Sequence, residues 1–155
     1  MENIRFDDLE KLKTKVSDDF GPWSKPIEVT QEKINRFADV TGDHQWIHID
    51  IERSKRESPF GGPVAHGFLT LSLLPAFEFD DGWTATGYRN VVNYGANKLR
   101  FISPVMAGSS VHARRRVVAI EGRPQGTQVV QETQVQVVGA DRPALIYEGI
   151  FLYVK

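Results

Sequence analysis

The 155-residue sequence contains no cysteine. That absence removes a disulfide framework, a thiol nucleophile and a thiolate metal site, and it fits a reducing compartment. An excess of one charge is missing too: 19 Lys and Arg face 20 Asp and Glu, for a formal net charge of -1. A chain so balanced offers no basic footprint for nucleic acid and no acidic tail. Long hydrophobic runs are also lacking. The most apolar stretch, Phe68 to Phe77, is interrupted by Thr70, Ser72 and Pro75, far short of the roughly 20 residues that span a bilayer. Met1 to Lys15 is rich in Asp, Glu and Lys and has no apolar centre of the signal-peptide kind. The expectation is a cytoplasmic protein without a nucleic-acid or membrane partner. With no internal repeat, low-complexity tract or linker, residues 1–155 read as one domain, a length that suits one sizeable core.

What is present divides into a helical first half and a strand-rich second half. Phe6, Leu9, Leu12 and Val16 recur at helical spacing until Gly21-Pro22. A short strand is expected over Pro26 to Val29. Thr30 can cap a helix whose stripe is Ile34, Phe37, Ala38 and Thr41, and Gly42 sits where a helix end favours positive φ. A loop from Asp43 to His48, a polar helix from Asp50 to Glu57 and a Gly/Pro turn region from Ser58 to Pro63 follow. From Ala65 to Phe77 the apolar residues surround the axis on nearly every side, the pattern of a buried helix. Asn90 to Phe101, Ser110 to Ile120, Thr127 to Val138 and Leu145 to Val154 read as strands. In the third, Val129, Gln131, Thr133, Val135 and Val137 alternate with polar neighbours, as in an antiparallel sheet with one wet face. The fold expected is α+β: an antiparallel sheet wrapped around a long central helix. Its open edges favour pairing with a second copy.

Two segments can carry chemistry. In Gly42-Asp43-His44-Gln45-Trp46-Ile47-His48, a carboxylate follows a helix-ending glycine and an imidazole lies five residues on. Such a pair can converge on one water and move its protons. Spacing alone equally allows Asp43 to cap a turn and His48 to be a satisfied, half-buried histidine. In Phe60-Gly61-Gly62-Pro63-Val64-Ala65-His66-Gly67-Phe68, glycines lead into the N-terminus of the apolar helix. Unpaired N–H groups there could form an oxyanion hole, and Gly67 lets a ligand approach the backbone. An ordinary turn under a core helix would look the same. No Gly-Lys-Ser/Thr follows, so this is not a phosphate loop. His44, His66 and His112 complete four scattered histidines without zinc-ligand spacing, so no metal is expected. Arg114-Arg115-Arg116 suits a solvated strand face, with a phosphate clamp as the minor alternative.

Taken together, the two segments resemble the hydratase motif of the MaoC-like, (R)-specific enoyl-CoA hydratases, a hot-dog fold family. That motif runs Gly-Asp, Asn-Pro, His, a Phe-Gly turn, then Ala-His-Gly and an apolar helix. Here it reads Gly42-Asp43 to His48, Phe60-Gly61 and Ala65-His66-Gly67. Asn93-Tyr94-Gly95-Ala96-Asn97-Lys98-Leu99-Arg100-Phe101 and Pro104-Val105 are similar to the nodulation-protein-N-like branch, so the resemblance covers nearly the whole chain. Gln45-Trp46 departs from Asn-Pro, and Pro75 falls near a position where some relatives carry a Ser facing the site.

The resemblance implies hydration of (2E)-enoyl-CoA to (3R)-3-hydroxyacyl-CoA, and the reverse dehydration. Asp43 and His48 would activate water, and the Gly67 N–H would hold the thioester oxygen. Phe60, Gly61, Gly62, Val64, His66, Tyr94 and Asn97 would contribute to substrate binding. It implies an acyl-CoA substrate, no cofactor and a homodimer. A hot-dog acyl-CoA thioesterase and an acyl-binding subunit of a heteromeric dehydratase are the competing readings.

Overall fold

The computed structural model describes Met1 to Lys155 in full. Its frame is a five-stranded antiparallel sheet: β2 (Ile27–Glu28), β4 (Asn90–Phe101), β5 (Ser110–Arg123), β6 (Gly126–Val137) and β7 (Leu145–Val154), ordered β2-β5-β6-β7-β4. Register shifts at Asn93/Gly95 and Ala96/Lys98 in β4, and at Val117/Ala119 in β5, bend the strands. Bulges of this kind add local twist, and they curl the sheet.

The curled face receives the helices. In α2 (Gln31–Thr41), Thr30 Oγ1 accepts the Lys33 N–H at 3.2 Å and Gly42 ends the helix at φ 78°. Ile34 and Ala38 are buried, while Thr41, expected on the same stripe, is exposed. The helix after Ala65 is shorter than the sequence pattern suggests. α5 is Gly67–Ser72, and a 3₁₀ turn, Leu74–Ala76, follows. Pro75 has no N–H to continue the ladder and disfavours α geometry at the preceding residue. Nor is α5 apolar all round in its setting: Leu69 and Thr70 are buried, whereas Phe68 and Ser72 are exposed. Leu69 packs with Val111 and Ala113 of β5, Val135 of β6 and Leu145 of β7, which seats this short helix on the sheet.

The N-terminal segment also departs from expectation. Glu2–Arg5 is a strand, β1, paired in parallel with β3 (Trp83–Thr86), and only Leu9–Lys13 is helical, as α1. Ile4 and Leu12 join Val117, Ile120 and Val129 in a second, smaller core. In β6 the expected alternation holds from Gln131 to Val135, but Thr127 to Gln131 is buried without a break. Strand β4 contrasts with it. Leu99 is only partly covered and Phe101 is exposed, as is nearly every other residue of the strand. No helix is long and apolar enough to cross a membrane.

Candidate active site

Gly42 turns the chain out of α2 in a left-handed conformation that a side chain would strain. Asp43 follows, and its carboxylate accepts the Gln45 N–H at 3.3 Å. Partial burial pushes the Asp43 pKa up, but the Gln45 bonds and the nearby His66 and His48 outweigh it, leaving the carboxyl below its usual range. His48 is not on the loop: it belongs to α3 (Trp46–Ile49), a single turn ahead of α4 (Ile51–Glu57). That turn is fixed by its backbone. Gln31 donates to the His48 carbonyl at 2.7 Å, Ser54 to the Trp46 carbonyl at 3.0 Å, and Val64 N–H to the Ile47 carbonyl at 3.0 Å.

The His48 ring is 7% exposed, and its Nδ1 lies 2.7 Å from the Val64 carbonyl. A carbonyl only accepts, so Nδ1 carries the hydrogen and the neutral ring keeps its lone pair on Nε2. Burial pushes the imidazole below its ordinary range. The Val64 bond and Asp43 oppose that shift, and His66 adds to it. His66, at the N-cap of α5 and 3% exposed, stacks on His48 with centroids 3.8 Å apart. Its Nε2–H donates to the Asp43 carbonyl at 3.0 Å. One polar atom from each of Asp43, His48 and His66 lies within 4.8 Å of the other two, a span that one water can bridge with bonds of about 2.8 Å.

Two cavities meet here. One, of ≈ 320 Å³, is walled mainly by apolar side chains, including Phe60, Val64, Ala65, Phe101, Val105 and Leu145. The other, of ≈ 410 Å³, is lined by Asp43, His66, Phe37, Thr41, Phe68 and Ser72. His48 and Gly67 line both. The N–H groups of Gly67 and Phe68, at the start of α5, donate to no backbone or side-chain acceptor. The arrangement therefore joins a carboxylate, a neutral imidazole with a free Nε2, and two free N–H donors to an apolar cavity.

Not every residue proposed from sequence reaches this place. Asp43, His48, Phe60, Val64, His66 and Gly67 do. Gly61 and Gly62 shape the preceding turn and line neither cavity, Gly61 at φ 79°. Tyr94 and Asn97 stand on β4, apart from both cavities, and Asn97 donates to Glu148 at 2.9 Å. His44 pairs with Asp39 at 2.9 Å on the surface, and His112 stacks on Trp23. The arginine run is no free phosphate clamp. Arg114 bonds Gln134 and lies over Phe20 and Trp23, Arg115 pairs with Asp81, and Arg116 pairs with Asp18 and Glu132. Phe101 was quoted from sequence only as part of the branch motif and given no site role, yet its ring packs so closely on Gly67 that a Cβ there would come within 2.8 Å of it. Thr70, a polar residue within the apolar run, also lines the apolar cavity.

The three polar side chains do not suit a shared metal ion. Metal–imidazole bonds lie in the ring plane at about 2.0–2.1 Å. The two imidazoles are stacked with planes 25° apart, so their lone pairs cannot meet at one such point.

A curled antiparallel sheet carrying a short helix, with the polar cluster at that helix's N-terminus, defines an α+β hot-dog domain. Residues 20–139 match the family described as MaoC like domain. The chain is 46% identical over 129 residues to 3-hydroxyacyl-thioester dehydratase Z of Mycobacterium tuberculosis, covering 83% of this chain and 84% of that one. It is 41% identical over 140 residues to nodulation protein N of Rhizobium leguminosarum, covering 88% and 85%. Among solved structures it resembles the (R)-hydratase from A. caviae involved in PHA biosynthesis in fold, with TM-score 0.67, 20% identity, and 88% and 97% of the two chains covered. The chain belongs to the MaoC-like dehydratase family, nodulation-protein-N branch included, and its chemistry is of the hydratase–dehydratase class.

Proposed function

We propose that this protein adds water to (2E)-enoyl-CoA thioesters to give (3R)-3-hydroxyacyl-CoA, and catalyses the reverse dehydration. A single observation carries the reading. The Val64 carbonyl fixes His48 as the Nδ1–H tautomer, leaving Nε2 basic in a cluster where one polar atom each of His48, Asp43 and His66 lies within 4.8 Å of the others. Asp43 accepts one hydrogen of the bound water and His48 Nε2 the other. As the water oxygen bonds to Cβ, its proton passes to this pair. The π electrons of the double bond move through Cα to the thioester oxygen, and the pair then gives its proton to Cα as the enolate collapses back to the thioester. The free N–H of Gly67 supports the oxygen as negative charge builds there. The thioester is itself the electron sink, so no cofactor enters the scheme.

A second copy completes the proposed molecule. β4 bonds only to β7, and its other edge is unpaired. It exposes Val91, Val92, Tyr94 and Phe101. A long apolar edge left open invites strand pairing. Light scattering at micromolar concentration should give a dimer mass. A fully active monomer would contradict that part of the reading.

The function is tested with crotonyl-CoA. Loss of enoyl absorbance with formation of the (R) product supports the reading. Release of free thiol without loss of the enoyl group makes the protein a thioesterase instead.

A further inference from the structure

We propose that His66 is a positioning residue for the Asp43–His48 pair, and this proposal rests on the hydratase reading above. One imidazole touches both members of the pair. Its Nε2–H holds the Asp43 carbonyl at 3.0 Å, and its face lies against the His48 ring at 3.8 Å. Phe37 of α2 packs on it with centroids 5.0 Å apart. The ring therefore links the end of α2, the α3 turn and the start of α5, the three elements that present Asp43, His48 and Gly67.

The two stacked rings use opposite nitrogens. His48 donates from Nδ1 to Val64, and His66 donates from Nε2 to Asp43. In the neutral His66 ring the lone pair then lies on Nδ1, which is buried and has no partner. Burying an acceptor without a bond is destabilising, and an apolar ring of the same shape would avoid that cost. Against that cost, the other nitrogen and the face of the imidazole do something a phenyl ring cannot. Here these are the bond that sets the Asp43 backbone and the polar face against His48. The titratable groups facing His48 are Asp43 and His66, and His66 acts to hold the His48 proton affinity down.

His66→Phe keeps a flat ring and removes the N–H. It should lower kcat by about tenfold, the worth of one hydrogen bond, with KM for crotonyl-CoA unchanged. It should also move the acid limb of the kcat–pH profile to higher pH, because His48 loses a neighbour that favours its neutral form. His66→Gln, which can still donate to the Asp43 carbonyl, should recover part of the loss. In the wild type, ¹⁵N NMR of the imidazoles should show Nδ1–H at His48 and Nε2–H at His66. A folded His66→Phe protein with wild-type kcat and an unmoved acid limb overturns the proposal, as does one shared tautomer at both histidines. If that variant does not fold, the wild-type tautomers and His66→Gln still decide. An active His66→Phe beside an inactive Asp43→Asn overturns positioning alone. A wild type that leaves crotonyl-CoA untouched overturns the hydratase reading, and the NMR result is independent of it.

Discussion

Two histidines four residues apart lie in opposite surroundings. His44 sits on the solvent side of the turn after α2. Its partner Asp39 chiefly raises its pKa, and the ring is about half exposed. His48 lies inside, stacked on His66 and bonded to Val64, and burial lowers its pKa. Asp43 lies just ahead of both in the chain, and its charge favours the protonated form of each. Exposure and an acidic neighbour make His44 a surface ion-pair partner. Burial and a backbone acceptor favour a neutral His48 with one committed nitrogen, the state the proposed mechanism uses. The same residue type thus takes opposite proton affinities from its packing.

The comparison breaks most sharply by truncation. His48→Ala should lower crotonyl-CoA turnover by at least ~100-fold, a typical acid–base contribution, whereas His44→Ala should leave turnover unchanged. Steady-state kinetics on the two variants would show it, and equal losses would erase the distinction.

Next in size is Gly67→Ala on the buried side. The new Cβ meets the Phe101 ring at 2.8 Å, so the ring or the α5 N-terminus must shift. Displacing the N–H donors should cost on the order of tenfold in kcat. Stability should change little, because Phe101 is half exposed and can swing. Phe101→Leu in the same chain should restore part of the rate. No restoration would mean that the glycine serves some other purpose.

The smallest effects concern pH. His48 binds its proton less readily folded than unfolded, so its contribution to stability is full above the unfolded pKa of about 6.5 and is lost as pH falls below that value. His44 has the opposite sign: its contribution is present below about 6.5 and disappears as pH rises through its raised folded pKa. Urea melts across this range should therefore show His44→Ala losing stability relative to wild type only on the acid side. A deficit that grew on the alkaline side would reverse the assignment.

Much of this fold was legible in the sequence because it rests on local signals. Thr30 and Gly42 mark the ends of α2 by their own side-chain and backbone chemistry, and the four long strands are runs rich in Val, Ile, Tyr and Phe punctuated by glycine, with alternation in β6. Where one residue outweighs a pattern, the reading failed. Pro75 cuts a helix that hydrophobicity alone extends to Phe77. β1 escaped notice because four residues with one buried side chain, Ile4, carry almost no period, and its partner β3 lies far along the chain. The site divides in the same way. Asp43, His48 and Gly67 are ordered along the sequence, so their motif can be read there. The contact of Phe101 with Gly67, the His48–His66 stack and the pairing of Arg114 to Arg116 exist only once distant segments meet. Tyr94 and Asn97 matched the family by sequence, but β4 holds them away from both cavities of their own chain.

The central claim, that Asp43 acts on water beside His48, is tested most directly by Asp43→Asn. This exchange keeps the size of the side chain and removes its charge. A folded Asp43→Asn protein should hydrate crotonyl-CoA at least ~100-fold more slowly than wild type, and turnover near the wild-type rate would contradict the account.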